Sequence, residues 1–282
     1  MSQPDQFGPF TPAPPKPSPG PLPVVQVALP SGPTQLEYLR SFQYIFDNPN
    51  WLMNLVWSFL SQLAGQFIPV VPAMVFTGYQ FEMLEDLVAN RGTRYPDFDI
   101  NRLGEYLGRG VWPVLVMLVV GLGAAFASIL LVVVAMIGIG LIGSAGGDDM
   151  AGILAIIGMI GGVLLGIAIF AGVGIYLTPM ILKAGLSQEF GAAFDFRWVN
   201  DFVGKMWVET LLSMLFIFIS VFVPVLLTCG LAGILLGPMM PFVGTHFHYQ
   251  LYSLYLSRGG MPIPLKPRMP LAPPPGYVPP QF

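Results

Sequence analysis

The chain has one cysteine, Cys229, and two histidines, His246 and His248, in 282 residues. A single thiol excludes an intramolecular disulfide and any cysteine-built metal site. Histidines spaced i, i+2 point to roughly opposite helix faces, which makes a poor metal pair. Charge is equally scarce. Asp, Glu, Lys and Arg make up 10% of the chain, against about 25% in soluble domains. The net charge is −3 and the bases are scattered, so a nucleic-acid face is not expected. The first fifty residues lack a basic stretch followed by an apolar one, so no cleavable signal peptide is expected. Phosphate-binding glycine loops ending in Lys-Ser or Lys-Thr, HExxH and GxSxG are all missing. No catalytic, cofactor-binding or metal-ligating residue is therefore assigned, and an enzyme is not expected.

Apolar residues fill the space instead, at 54% of the chain with a mean hydropathy of +0.70. A soluble protein of that composition would expose large aggregating patches, whereas lipid tolerates it. The expected fold class is an all-α polytopic transmembrane bundle. With about 20 apolar residues needed per crossing, five segments emerge: Trp51–Tyr79, Val111–Ile142, Ala151–Leu182, Trp207–Leu227 and Gly230–Leu254. The bundle occupies residues 41–258. Proline-rich segments, 1–40 and 259–282, flank it and are expected to be disordered and to sample polyproline II.

Arginines 91, 94, 102 and 109 lie between segments one and two, Lys183, Arg197 and Lys205 between three and four, and Arg258, Lys266 and Arg268 after five. The connections near Asp148 and Cys229 carry no base. The positive-inside rule then makes the basic connections and the C-terminus cytoplasmic. Segment one is ambiguous because Pro69 and Pro72 interrupt it. A single crossing puts the N-terminal tail outside, and a re-entrant hairpin keeps it inside; with no export signal ahead of it, the second is preferred. Broken backbone at membrane depth needs polar cover, which Gln62 and Gln66, on one helix face, can supply. IPVVPAMVFTGYQ at 68–80 resembles GPMMPFVGTHFHYQ at 237–250, so a cavity or partner surface made by Gln62, Gln66, Thr245 and His246 is expected between segments one and five.

The two long basic connections are related. FDINRLGEYLGR at 98–109 aligns without gaps with FDFRWVNDFVGK at 194–205, the mark of a direct internal repeat. Asp99 and Asp195 stand where a carboxylate caps a helix. Leu103, Tyr106 and Leu107, and Val199, Phe202 and Val203, form one apolar face. Arg109 and Lys205 are expected to reach the phosphate level, and Glu105 and Asp201 complete each elbow. Glu209, one turn after Lys205, is read as an interfacial ion-pair partner. Gly158, Gly162 and Gly166 form a small-residue stripe suited to close helix contact, either internal or with a second copy.

The order Asp-Asn-Pro-Asn-Trp at 47–51, Gly78-Tyr79, Tyr95-Pro96-Asp97-Phe98, Tyr176-Leu177-Thr178-Pro179 and Gly191-Ala192-Ala193-Phe194-Asp195 resembles a prokaryotic multi-pass membrane family of unknown function. That family is itself similar to the membrane domain of some glycerophosphodiester phosphodiesterases. The resemblance covers about residues 40–258. It implies a helical bundle in a prokaryotic plasma membrane and brings no catalytic residues. Two functions follow as expectations: a non-enzymatic scaffold or accessory component that meets membrane or cytoplasmic proteins through its tails, or a permease or lipid-handling protein with its site between segments one and five. The lipid bilayer is the expected solvent in both.

Overall fold

The computed structural model describes residues 35–90, 92 and 95–266, without the side chains of 142–151 and 155. The described residues are helical, with no strand among them. Arg91, Arg94, Arg268 and most of both proline-rich tails lie outside them. Packing nevertheless extends past the expected domain limits, since Glu37 is hydrogen-bonded to the bundle and Ile263 is buried in it.

After a short helix, α1 (Arg40–Gln43), and a 3-10 turn over Tyr44–Asp47, the expected first segment is two helices, α2 (Trp51–Phe67) and α3 (Val71–Ala89). Pro69 has no N–H to continue α2, and Pro72 sits in the first turn of α3, where a missing N–H costs nothing. Ser61 Oγ donates to the Pro72 carbonyl at 3.1 Å and ties the two arms together. Segment one is thus a hairpin and not one continuous helix.

Helix α4 runs from Leu103 to Ser187 with helical backbone throughout, including the stretch expected as an external connection near Asp148. Straight, its 85 residues would reach about 128 Å. Instead it doubles back. A Cβ on Gly158 would lie 2.5 Å from the Ile139 side chain, and residues from both ends, Tyr106 and Gly185, touch α3. The reversal therefore falls between Ile139 and Gly158. A Cβ on Gly162 or Gly166 would meet none of the described residues within 4 Å, whereas one on Gly158 would meet Ile139.

Asp195 caps α5 (Phe196–Leu227) by accepting from Trp198 N–H. A short turn leads to α6 (Leu231–Ser257). Thr228 Oγ1 donates to the Pro224 carbonyl and accepts from Ala232 N–H, both at 2.8 Å, while Cys229 and Gly230 take left-handed backbone. Among the described residues three helical stretches are long and apolar enough to cross a membrane: Ile100–Leu141, Gly152–Ser187 and Phe196–Leu227. The expected first and fifth segments are not among them. The break at 68–70 leaves α2 with 17 residues, and prolines, Thr245 and two histidines interrupt α6.

Helices α3 and α4 touch backbone to backbone. A Cβ on Gly78 would stand 1.8 Å from the Tyr106 carbonyl oxygen, and one on Gly110 would stand 1.8 Å from that of Met74. With Glu82 against Arg102, the pairs step in opposite directions, so the helices are antiparallel. Alanine gains up to about 1 kcal/mol of helix propensity over glycine, but here it must push the helices apart. Gly78→Ala and Gly110→Ala are each expected to lower stability by about 1–3 kcal/mol in thermal unfolding of the detergent-solubilised protein. Gly104→Ala, whose Cβ meets open space, should be neutral or slightly stabilising.

Candidate functional site

Proline in α6 sets the local chemistry. Pro241 has no N–H, so the Gly237 carbonyl loses its helical partner. Gln62 Nε2 from α2 donates to it at 3.0 Å. Gln80 Nε2 from α3 donates to the Pro241 carbonyl at 2.8 Å, and Tyr44 Oη to that of Phe242 at 2.8 Å. Gln62 is thus cover for broken backbone. Gln66 is exposed. Thr245 and His246 are both buried; Thr245 Oγ1 donates to Pro241 of its own helix at 2.8 Å. These four residues point to different partners: Gln62 binds α6 about two turns before Thr245.

His246 belongs to a strap. Residues 36–47 lie along the C-terminal half of α6. Glu37 N–H donates to Gln250 Oε1 at 2.6 Å, and Gln250 Nε2 donates to the Glu37 carbonyl at 3.1 Å and to Ser41 Oγ at 3.0 Å. Ser41 Oγ lies 3.0 Å from His246 Nδ1, and the Tyr44 ring stacks on the imidazole at 4.4 Å. Phe242, His246 and Gln250 recur every four residues and meet Tyr44, Ser41 and Glu37 in turn. The start of the C-terminal tail is fastened to the same helix, where Ile263 N–H donates to Tyr252 Oη at 2.8 Å and Met261 N–H to Tyr255 Oη at 3.1 Å, and to α5, where Trp198 Nε1 donates to the Met261 carbonyl at 2.8 Å.

Beside the strap lies a cleft of about 390 Å³, lined by Tyr44, Asp47, Asn48, Pro49, Gly92, Tyr95, Pro96 and Asp97. Its frame is a carboxylate held by three amides. Asn48 and Asn54 donate to Asp97 Oδ1 at 2.9 and 3.1 Å, and Asn50 donates to Oδ2 at 2.6 Å. Asn54 Oδ1 also accepts from Phe98 N–H at 3.0 Å. Burial would raise the Asp97 carboxyl, but the amides of Asn50, Asn54 and Asn48 outweigh it and hold the group below the usual carboxylate range. Burial pushes the Tyr95 phenol up, and the Asp97 and Asp47 charges add to that. Asp47 pairs with Arg40 at 2.5 Å through one oxygen. Gly92 has φ +77°, with the Tyr249 ring 2.9 Å from where a Cβ would stand.

The elbows are tied by ion pairs. Buried Glu82 receives Arg102 bidentately at 2.6 and 2.8 Å, and Arg102 Nε also reaches Glu105 at 2.9 Å. Arg109 turns inward to Glu85 at 3.0 Å, so it does not reach outward to a phosphate level. Lys183 pairs with Asp195 at 2.5 Å, and Lys205 with Asp201 at 2.8 Å. Glu209 pairs with Arg258 and not with Lys205. Asp99 accepts from Asn101 N–H at 2.9 Å. Of the first elbow's expected apolar face only Tyr106 is fully buried; Leu103 and Leu107 are 40% and 37% exposed. In the second, Val199 and Phe202 are buried and Val203 is half-buried. Among the described residues no group of three His, Cys, Asp or Glu is placed to hold a metal.

The asparagine clamp escaped the sequence reading. Its signal was present, as DNPN at 47–50 and YPDF at 95–98, but nothing in the linear chain pairs two motifs so far apart. Asp97 contributes stability above the unfolded carboxyl pKa of about 4, and loses it as pH falls through the lower folded value. Asp97→Asn should therefore unfold earlier at pH 7, by about 1 kcal/mol given its exposure, with the gap to wild type closing near pH 3 in thermal melts. Gln62→Leu is expected to cost about 1–3 kcal/mol in the same assay by stranding the Gly237 carbonyl.

No curated protein and no solved structure matches the chain. The expected likeness to phosphodiesterase membrane domains therefore finds no support in these comparisons. A family model described as a protein of unknown function, DUF4013, matches residues 63–233, more than half of the sequence. The chain belongs to that family.

Proposed function

We propose that this protein is a non-enzymatic membrane scaffold that anchors the roots of its two proline-rich tails side by side on α6, at the cytoplasmic face of a prokaryotic plasma membrane. The observation that carries this reading is the common anchorage of both tail roots. Glu37 is bonded to Gln250, and Ile263 to Tyr252, two residues further along α6. Chains leaving from neighbouring points on one helix emerge on the same side of the bilayer. The basic connections lie at this end of the bundle, which the positive-inside rule places in the cytoplasm.

The elbows support the same reading as two copies of one duplicated unit. Asp99 and Asp195 each accept a backbone N–H at a helix start. The aligned Tyr106 and Phe202 are both fully buried. The ion pairs close the elbows against motion, as a scaffold requires. The alternative of a permease or lipid-handling site around Gln62, Gln66, Thr245 and His246 has less behind it, because Gln62, Thr245 and His246 are committed to structural hydrogen bonds.

Single cysteines in a Cys229→Ser background test the topology. Ser18→Cys and Gly276→Cys should both react with an impermeant maleimide only after lysis, as Ser187→Cys does, while Ser144→Cys reacts in intact cells. Labelling of either tail in intact cells would overturn the side-by-side arrangement. If the tails co-purify no protein beyond what a tail-deleted chain retains, the scaffold role falls.

A further inference from the structure

We infer that His246 is an acid-operated latch: a proton on its Nδ1 detaches residues 36–43 of the strap from α6. The latch stands on the hydrogen bonds around the ring, whatever the tails bind. His246, Ser41 and Gln250 are 3%, 0% and 2% exposed, so water does not replace a partner that one of them loses.

Donors and acceptors in this node fix one another in turn. Glu37 N–H is a backbone amide and can only donate, and it donates to Gln250 Oε1. Gln250 therefore turns its Nε2 toward the Glu37 carbonyl, Ser41 Oγ and, at 2.9 Å, His246 Nδ1. Ser41 Oγ accepts from that nitrogen and gives its own proton to Nδ1 at 3.0 Å. Nδ1 is thus an acceptor met by two donors, and the neutral ring carries its proton on Nε2. A second proton, on Nδ1, breaks the pattern. Ser41 can rotate its hydroxyl and accept, but Gln250 then faces the new N–H donor to donor. Turning the amide over moves the conflict to Glu37 N–H. No arrangement of the closed strap satisfies every group, and a buried hydrogen bond left unmade is costly.

No neighbouring charge relieves the conflict. Among the described residues neither nitrogen of the His246 ring is paired with a carboxylate. On the strap, Arg40 and Asp47 act on the ring with opposite sign and are paired with each other, while Glu37 is exposed. Glu209 of α5 is taken by Arg258. Asp97, beyond the Tyr44 and Tyr95 rings, is taken by its three amides. Helix α3 presents the neutral Gln80 and Tyr79 to this stretch of α6, and α6 itself presents Tyr249 at 5.7 Å. The Tyr44 ring stacked on the imidazole tolerates a cation; the Gln250 amide does not. The closed strap thus binds one proton fewer than the open one. Below the ordinary imidazole value of about 6.5, opening gains about tenfold per pH unit, and above it the strap stays shut.

Distance measurement by pulsed electron paramagnetic resonance, on the full-length chain in lipid nanodiscs, is the test. In a Cys229→Ser background, spin labels on Leu39→Cys and Ser257→Cys, both exposed, report how the strap lies on α6. One short distance is expected at pH 7.5. Between pH 6 and 5 a longer one should join it, its ratio to the first rising about tenfold per pH unit. That interval lies above the ordinary carboxylate range of about 4, and His248 points to the far side of α6. His246→Asn keeps an acceptor near the place of Nδ1 but takes no proton, and should hold the short distance throughout. Gln250→Glu offers the imidazolium a carboxylate and should keep the strap closed at pH 5. Distances that are the same at pH 7.5 and pH 5 in the parent, or that lengthen equally in His246→Asn, would overturn the inference. Should His246→Asn fail to fold, Gln250→Glu decides: lengthening at pH 5 as in the parent sinks the latch, and a retained short distance supports it.

Discussion

Three side-chain donors from three elements converge on one stretch of α6. Pro241 deprives the Gly237 carbonyl of its helical hydrogen bond, and an unmade hydrogen bond costs free energy. The donors are Gln62 from α2 on Gly237, Gln80 from α3 on Pro241, and Tyr44 from the strap on Phe242. Each comes from a different element, so the three bonds together fix where those elements sit, although only Gln62 meets a carbonyl that has lost its helical partner. The strap continues the same logic down α6 through His246 and Gln250.

The ion pairs follow a related economy. Glu82 and Glu85 are almost fully buried on α3 and face Arg102 and Arg109. Burying a charge is tolerable only against a partner with good geometry, and such pairs contribute more to register than to net stability. Arginine suits this place because its fork can bind both oxygens of Glu82 at once. Register is what the α3–α4 contact needs, since Gly78 and Gly110 tolerate close backbone approach only when aligned with Tyr106 and Met74. Glycine permits the approach, and the ion pairs hold the helices at the one sliding position where it works.

These couplings explain what could be read from the sequence and what could not. Composition and apolar runs pointed to helices suited to lipid, because periodicity and hydropathy are local. Asp195 as a helix cap was equally legible, since a cap and its N–H lie within three residues. Gln62 was expected to cover the break at Pro69 and Pro72 in its own segment, and it meets instead the carbonyl that Pro241 frees in α6. The destination of Arg109 was missed: a basic residue at a membrane boundary usually points outward, and only the tertiary partner Glu85 turns it in. The clamp on Asp97 was missed for the same reason, since Asn48, Asn50 and Asn54 acquire their role only when residues 95–98 fold back across the start of α2. The reversal inside α4 lies between these cases. A polar interruption at Gly146–Asp149 marked it, but the backbone there stays helical.

Topology follows from the hairpins without knowing how deeply each one inserts. Helix α2 has 17 residues, about 26 Å, slightly less than the roughly 30 Å of a hydrocarbon core. Whether α2 and α3 cross fully or turn back inside, a hairpin returns the chain to the side it left. The doubled-back α4 has the same form, and α5 and α6 are joined by the tight turn at Thr228–Gly230. Pro69 and Pro72 thus break the first segment into two arms, and Gln250 holds Glu37 on α6 close to Tyr252, which holds Ile263.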